Sequence, residues 1–206
     1  MKRFLSAIGL AAALVFTAGI ALAADKGGIP LFSSETVAAS WSGCHLSASV
    51  GVTSVGIDEL PIGADGFNGG AGVGCDVQAG NLVFGAFGDY GFHRLNLGTG
   101  LPDLDVDAWT VGARVGALLN ADTLAYGLAG YTWADASVKG VGSEDIEGWV
   151  VGGGLETRLA DQWGARLEYR YHSFEAVGDD TMKVDPDAHT VRVGILYRFS
   201  VPGVIQ

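Results

Sequence analysis

Charged side chains recur at alternate positions in segments that are otherwise apolar or glycine-rich. They are Asp76, Asp89, Arg114, Glu156 with Arg158, the run Arg166, Glu168 and Arg170, and then Arg192 and Arg198. A period of two puts such residues on one face of an extended chain. Arginine pairs bidentately with carboxylates, so this set can form an ion-pair lattice or line a gated ion path. Cys44 and Cys75 are the only cysteines. They can form a disulfide in an oxidising compartment or remain two small apolar thiols. His45, His93, His172 and His189 show no metal-ligand spacing, and neither a metal nor a cofactor is expected. His172-Ser173 followed by Glu175 has the residue types of a nucleophile set. Neighbouring strand residues point to opposite faces, which disfavours that chemistry.

The elements that position these groups follow from composition and period. The chain has 206 residues, 33 of them Gly, and a formal net charge of −11. Gly is thus more than twice as frequent as the ~7% of average proteins, and no Gly-X-Y period is present, which excludes collagen. Hydrophobic residues make up 49%, too many for a disordered chain. The acidic balance excludes nucleic acid as the main partner, which would need a basic face. Residues 1–23 read as a signal peptide: Lys2 and Arg3, an apolar stretch to Ile20, and an Ala21-Leu22-Ala23 cleavage site. Residues 24–40 have no period and read as a flexible lead. Mean hydropathy is positive, yet no apolar run of 18 or more residues follows the signal peptide. Alternating strands of a membrane barrel hide their apolarity in this way.

Eight strands are expected, near 41–54, 67–79, 82–92, 108–119, 124–134, 148–158, 163–172 and 190–199. Strands of about ten residues cross a bilayer at a tilt. Short connectors at 79–81, 120–123 and 160–162 alternate with long ones near 55–66, 93–107, 135–147 and 173–188. That alternation is the pattern of short turns on one side of a membrane and long loops on the other. A soluble barrel would pack its apolar face inward and wet a Lys-rich face. Here the polar face is rich in Gly with Arg and Glu, so it is read as the lumen and the apolar face as lipid-facing. Trp41, Trp109, Trp149, Trp163, Tyr169 and Phe199 then fall near strand ends, as interfacial girdles do. The fifth strand is ambiguous: Leu124, Tyr126 and Leu128 suggest one facing, Tyr131 and Trp133 the other. Pairing Cys44 with Cys75 across the first two strands puts Val52 opposite Phe67.

The long connectors are strongly acidic. They hold Asp58, Glu59 and Asp65; Asp103, Asp105 and Asp107; Asp135, Glu144, Asp145 and Glu147; and Glu175, Asp179, Asp180, Asp185 and Asp187. Only Arg94, Lys139 and Lys183 oppose them. Such loops can be merely solvated, can share divalent cations with lipopolysaccharide, or can attract basic surfaces. No segment matches an EF-hand loop.

Several motifs, in order, resemble one family. They are Trp41-Ser42-Gly43, Val83-Phe84-Gly85-Ala86 with Gly88-Asp89, Arg114-Val115-Gly116, the run 148–154 (GWVVGGG), and the run 193–199 (VGILYRF). Over roughly 41–199 the chain resembles the small eight-stranded outer-membrane β-barrel surface antigens of Gram-negative bacteria, the porin-family or opacity-type proteins. The resemblance implies insertion by the outer-membrane assembly machinery, with Val193, Ile195, Tyr197 and Phe199 as the recognition signal. Three departures stand out. Residues 200–206 follow the terminal aromatic, Phe87 stands where an acidic lumen residue is frequent, and Gly112 stands where a second Arg is common. The expectation is an all-β, eight-stranded antiparallel up-and-down transmembrane barrel over 41–199, with a short extension over 200–206. Its place is the cell outer membrane, its partners are lipid and lipopolysaccharide, and it is a monomer. Its expected role is non-enzymatic: membrane integrity and display of acidic loops. Asp89, Arg114, Glu156, Arg158, Arg166, Glu168, Arg170, Arg192 and Arg198, with Asp76, form the expected lumen network. Alternatives are a narrow low-conductance porin and a lipid A-modifying barrel enzyme.

Overall fold

A computed structural model describes residues 40–57, 63–96, 104–138, 142–160, 162–175 and 186–199. The expected signal peptide, nearly all of the lead, and residues 200–206 lie outside the described residues. Eight strands follow in chain order: β1 Gly43–Ile57, β2 Gly63–Ala79, β3 Leu82–Asn96, β4 Leu104–Asn120, β5 Thr123–Val138, β6 Gly142–Arg158, β7 Trp163–Phe174 and β8 Pro186–Phe199. Each pairs antiparallel with the next, and β8 pairs with β1 from Cys44↔Phe199 to Ile57↔Pro186, closing the barrel. Closure removes both sheet edges, so every strand finds backbone partners without water. The turns at the short end are local. Gly80 sits at φ +63° between β2 and β3, a left-handed conformation that glycine adopts without cost. Between β4 and β5 the Asn120 Oδ1 accepts the Asp122 amide at 2.9 Å.

The register sets the facing. Val52, Val73, Val111 and Ile195 point outward, with Val52 at 59% exposure, while Val83, Leu124 and Leu196 are wholly enclosed in the lumen. Water does not tolerate so much exposed aliphatic surface, and a bilayer does. On β5, Leu124, Tyr126 and Leu128 point in, and Tyr131 and Trp133 share the outer parity. Both sequence signals on that strand were therefore genuine. The reason is a lumen cluster of Trp41, Val83, Leu124, Tyr126, Leu128 and Val150, so apolarity does not mark the lipid face there. Trp109, Trp133, Trp149 and Trp163 lie outside, half exposed. Trp41 does not belong with them. It is fully buried in the lumen, its Nε1 donating to the Ala121 carbonyl at 3.2 Å.

The strands are longer than expected, and the extra length lies at the long-connector end. Asp65, Asp105, Asp107, Asp135, Glu144, Asp145, Glu147 and Asp187 belong to strands, not to loops. Clustered acids suggest loops, but the two-residue period continues beneath them. Asp105, Asp107, Asp135 and Asp145 take the outer face, and Leu95, Ala108, Ala134 and Ala188 take the lumen, where they are buried. Above the tryptophans the facing thus inverts: polar outside, apolar inside, as in a water-soluble barrel. The acids Asp58, Glu59, Asp103, Asp179, Asp180 and Asp185 lie outside the described residues.

Glycine makes room for the lumen's large side chains. A Cβ on Gly85 would stand 2.1 Å from Asp76 Oδ1, one on Gly74 2.6 Å from the His45 ring, and one on Gly154 2.7 Å from the Tyr126 hydroxyl. In register, Gly72 faces Asp89, Gly152 faces Arg170, Gly194 faces Arg166 and Gly51 faces Arg192. An eight-stranded barrel has interior space for about one large side chain per facing pair, so small alternates with large.

Cys44 and Cys75 are opposite each other in the β1–β2 register and are joined by a disulfide, with Val52 facing Phe67. The loop it closes spans 31 residues. Four outcomes are expected. Alkylation should change the intact mass of the folded protein only after reduction. Cys44→Ser with Cys75→Ser should lower unfolding free energy by about 3–4 kcal/mol. Gly85→Ala, which drives a methyl into the Asp76 carboxylate, should destabilise by about 1–3 kcal/mol in urea unfolding. The outward Gly127→Ala should leave the midpoint unchanged.

Candidate functional site

The lumen charges come from every strand except β1 and β5, and the two-residue period aims them at one axis. Four carboxylates and five guanidiniums form a continuous ion-pair set. In the half nearer the short turns, Arg114 grips Asp76 with two bonds, Nε–Oδ1 at 2.8 Å and Nη2–Oδ2 at 2.6 Å. Its third nitrogen donates to Glu156 Oε2 at 2.8 Å. Arg198 reaches the same two acids, Asp76 at 3.0 Å and Glu156 through Nη2. In the half nearer the long connectors, Arg170 pairs with Asp89 at 2.7 Å and with Glu168 at 2.8 Å. Arg192 also donates to Glu168, at 2.7 Å. Arg166 lies between the halves, 3.3 Å from Glu156 and 3.9 Å from Glu168.

Burial makes these pairs obligatory. Asp76, Glu156 and Glu168 are almost without exposure. A lone carboxylate or guanidinium taken out of water costs several kcal/mol. Here each one is shared between at least two partners, which holds the side chains rigid and leaves little room between them. Two groups that sequence reasoning left out join the set. His45 lies with Nδ1 3.4 Å from Asp76 Oδ2, and the Tyr126 hydroxyl donates to Glu168 Oε2 at 2.5 Å. His45 was legible only as a member of the inward parity, and the ambiguity of β5 concealed Tyr126.

Arg158 has a different place. Among the described residues it makes no salt bridge; its Nη2 donates to the Ser40 carbonyl at 2.6 Å. Its guanidinium lies 4.5 Å over the Trp41 ring, and Arg198 lies 4.7 Å from the same ring. Trp41 is thus an indole stopper at the short-turn mouth, held by two cations. Phe87 and Gly112 face each other in the β3–β4 register. The Phe87 ring takes the space a side chain on Gly112 would need and sits 5.1 Å from the Arg170 guanidinium. At this departure from the resembled family's frequent acid, an aromatic face meets Arg170 through a cation–π contact.

Other candidate chemistry does not assemble. His172 points into the lumen beside Thr132, whereas Ser173 is on the opposite face of β7 and Glu175 is exposed beyond its end. No group of three or more His, Cys, Asp or Glu among the described residues could hold a metal ion. Outside, Asp107, Asp135 and Asp145 face one another across β4, β5 and β6 in a single row, two register pairs beyond Trp109 and Trp133. This collar lies clear of the apolar band. Its crowding shows in Asp135, whose carboxyl is pushed upward by its hydrogen bond with Asp145 and by the charge of that neighbour. On the last strand Val193, Ile195 and Phe199 face outward in a row, and Tyr197 packs on Trp163 at 5.1 Å.

Comparison with known proteins gives the same architecture. A model of the outer membrane protein beta-barrel domain matches residues 8–199. The 25 kDa outer-membrane immunogenic protein of Brucella canis is 29% identical over 216 residues, covering 97% of this chain and 100% of that protein. The 22 kDa outer membrane protein of Rhizobium leguminosarum bv. viciae is 29% identical over 175 residues, covering 79% and 80%. Among solved structures, Neisserial surface protein A shares the fold with a TM-score of 0.57 at 19% identity, over 77% of this chain and 98% of that one. A family match across most of the chain and a closed barrel with a lipid-type outer face lead to one conclusion: the chain belongs to the outer membrane protein β-barrel domain family.

Proposed function

We propose that the barrel is a closed, non-enzymatic structural element of the outer membrane, adding to membrane integrity and holding acidic loops at the cell surface. The observation that carries this reading is the lattice across the lumen. Voids of about 10 and 20 Å³ flank it, room for about a single water in the larger. Five arginines locked onto four buried acids cannot move aside without exposing charge, so solutes have no path of least resistance through the middle. The narrow-porin reading requires that path. The enzyme reading requires a nucleophile and base in contact, and the separation of His172 from Ser173 speaks against it.

With short turns facing the periplasm, the collar acids stand at the level of the lipopolysaccharide headgroups. Both surfaces are negative, so their association depends on divalent cations shared loosely between them and not on a chelating cage. The outward row Val193, Ile195, Tyr197 and Phe199 serves the assembly machinery as the terminal signal, and β8 then closes the barrel on β1.

Two outcomes follow. Purified wild-type protein in planar bilayers should give no steady conductance, whereas Glu168→Ala, which leaves Arg170 and Arg192 held by Asp89 alone, should give frequent openings; large steady wild-type currents would establish the porin instead. A deletion strain should become more sensitive to EDTA and detergent, and a chain carrying Asn at positions 105, 107, 135 and 145 should fail to restore resistance. Full restoration by that chain would remove the collar from the account.

A further inference from the structure

The inverted facing above the girdle leaves a cavity. About 190 Å³ of space opens inside the barrel at the long-connector end. Its wall is aliphatic and aromatic, including Leu95, Val106, Ala108, Ala134, Ile146 and Phe174. The floor is polar and ordered. Thr53 lies 3.0 Å from His93 Nδ1 and 3.1 Å from the Thr190 hydroxyl, and Asn68 donates to Thr53 at 2.9 Å. Beneath that floor is the void of about 20 Å³, and then Asp89, Arg170 and Arg192.

Three features separate this space from an ordinary core. A core built only for stability is packed without voids larger than a water. Here Ala108, Ala134, Ala136 and Ala188 face the cavity, where larger side chains would close it. A dry cavity of about 150 Å³ with an aliphatic wall is enough to hold benzene. The polar groups converge at one end of an otherwise apolar pocket, the arrangement that orients small ligands. The exterior around the mouth carries Asp105, Asp107, Asp135, Asp145 and Asp187, a field that repels anions and leaves neutral molecules unaffected.

We infer that the distal barrel is a dead-end binding pocket for a small neutral molecule: one aromatic or alicyclic ring carrying a single hydroxyl. The ring fills the aliphatic wall and the hydroxyl meets the Thr53–His93–Thr190 floor. The ion-pair lattice beneath stops passage, so the site binds and does not conduct. This inference stands on the cavity and not on the proposed structural role, and conductance and EDTA data do not bear on it.

The test uses the full chain in lipid nanodiscs and 4-fluorophenol as probe, read by ¹⁹F NMR against empty nanodiscs. Saturable line broadening beyond membrane partition is expected. Fluorobenzene, which has the same ring without the hydroxyl, should bind about threefold to tenfold more weakly, the scale of one neutral hydrogen bond. Ala134→Phe, whose ring would occupy the cavity, should weaken 4-fluorophenol binding about tenfold or more. Heat-modifiable gel migration verifies folding of that variant, and Ala136→Phe substitutes for it if the shift is lost. Partition alone in the wild type, as would follow if a connector of this chain fills the space, overturns the pocket. Equal binding by a folded filling variant does the same. Equal affinity for the two probes overturns the role of the floor.

Discussion

A barrel of eight strands in lipid has a single compartment for charge, its lumen, and that lumen is too narrow for water to solvate what is placed there. Every carboxylate inside must therefore meet a cation, and the reverse. The Arg114 fork on Asp76 and the Arg170 bridge from Asp89 to Glu168 are the direct result. The rest of the interior follows from making space for them. Glycines stand across the sheet from Asp89, Arg166, Arg170 and Arg192. The glycine excess is therefore a volume device and not a mark of flexibility, and the half-apolar composition is a coat for lipid and only partly a core.

Much of this was legible in the sequence because a strand has only two faces. Once the period was read on β4, β6, β7 and β8, the inward parity of Arg114, Glu156, Glu168 and Arg192 followed without knowledge of the fold. Connector lengths gave the up-and-down order. What was illegible depends on depth along the barrel axis, which a period of two does not encode. Trp41 has the residue type of a girdle anchor, and only the chain's entry beneath β1 turns it into the lumen. Asp105 and Asp135 read as loop residues because an acid inside a lipid-facing strand is forbidden; above the bilayer the prohibition lapses and the strand continues. Arg158 shares its parity with the lattice arginines, but it lies past the last carboxylate and stacks on an indole instead.

The molecule accordingly has two zones in one continuous sheet. Within the bilayer it is apolar outside and charged inside, rigid and filled. Above it is acidic outside and aliphatic inside, and incompletely filled. The same strands serve both, and the switch occurs where Trp109, Trp133 and Trp149 mark the interface. The membrane zone is closed by its ion pairs, and the upper zone carries the collar acids outside and the cavity inside.

The claim that pairing governs the lumen is tested most directly by a double-substitution cycle on Arg170 and Asp89, read as unfolding free energy in lipid. Arg170→Met and Asp89→Leu alone should each cost up to about 3–5 kcal/mol, because each strips the closest partner from a buried charge: Asp89 keeps only Arg192, at 3.4 Å, and Arg170 keeps only Glu168. Together they remove one charge of each sign and leave Arg192 on Glu168, so the double variant should recover most of that loss. Additive losses would contradict the account and show that shape, not charge pairing, holds the lumen together.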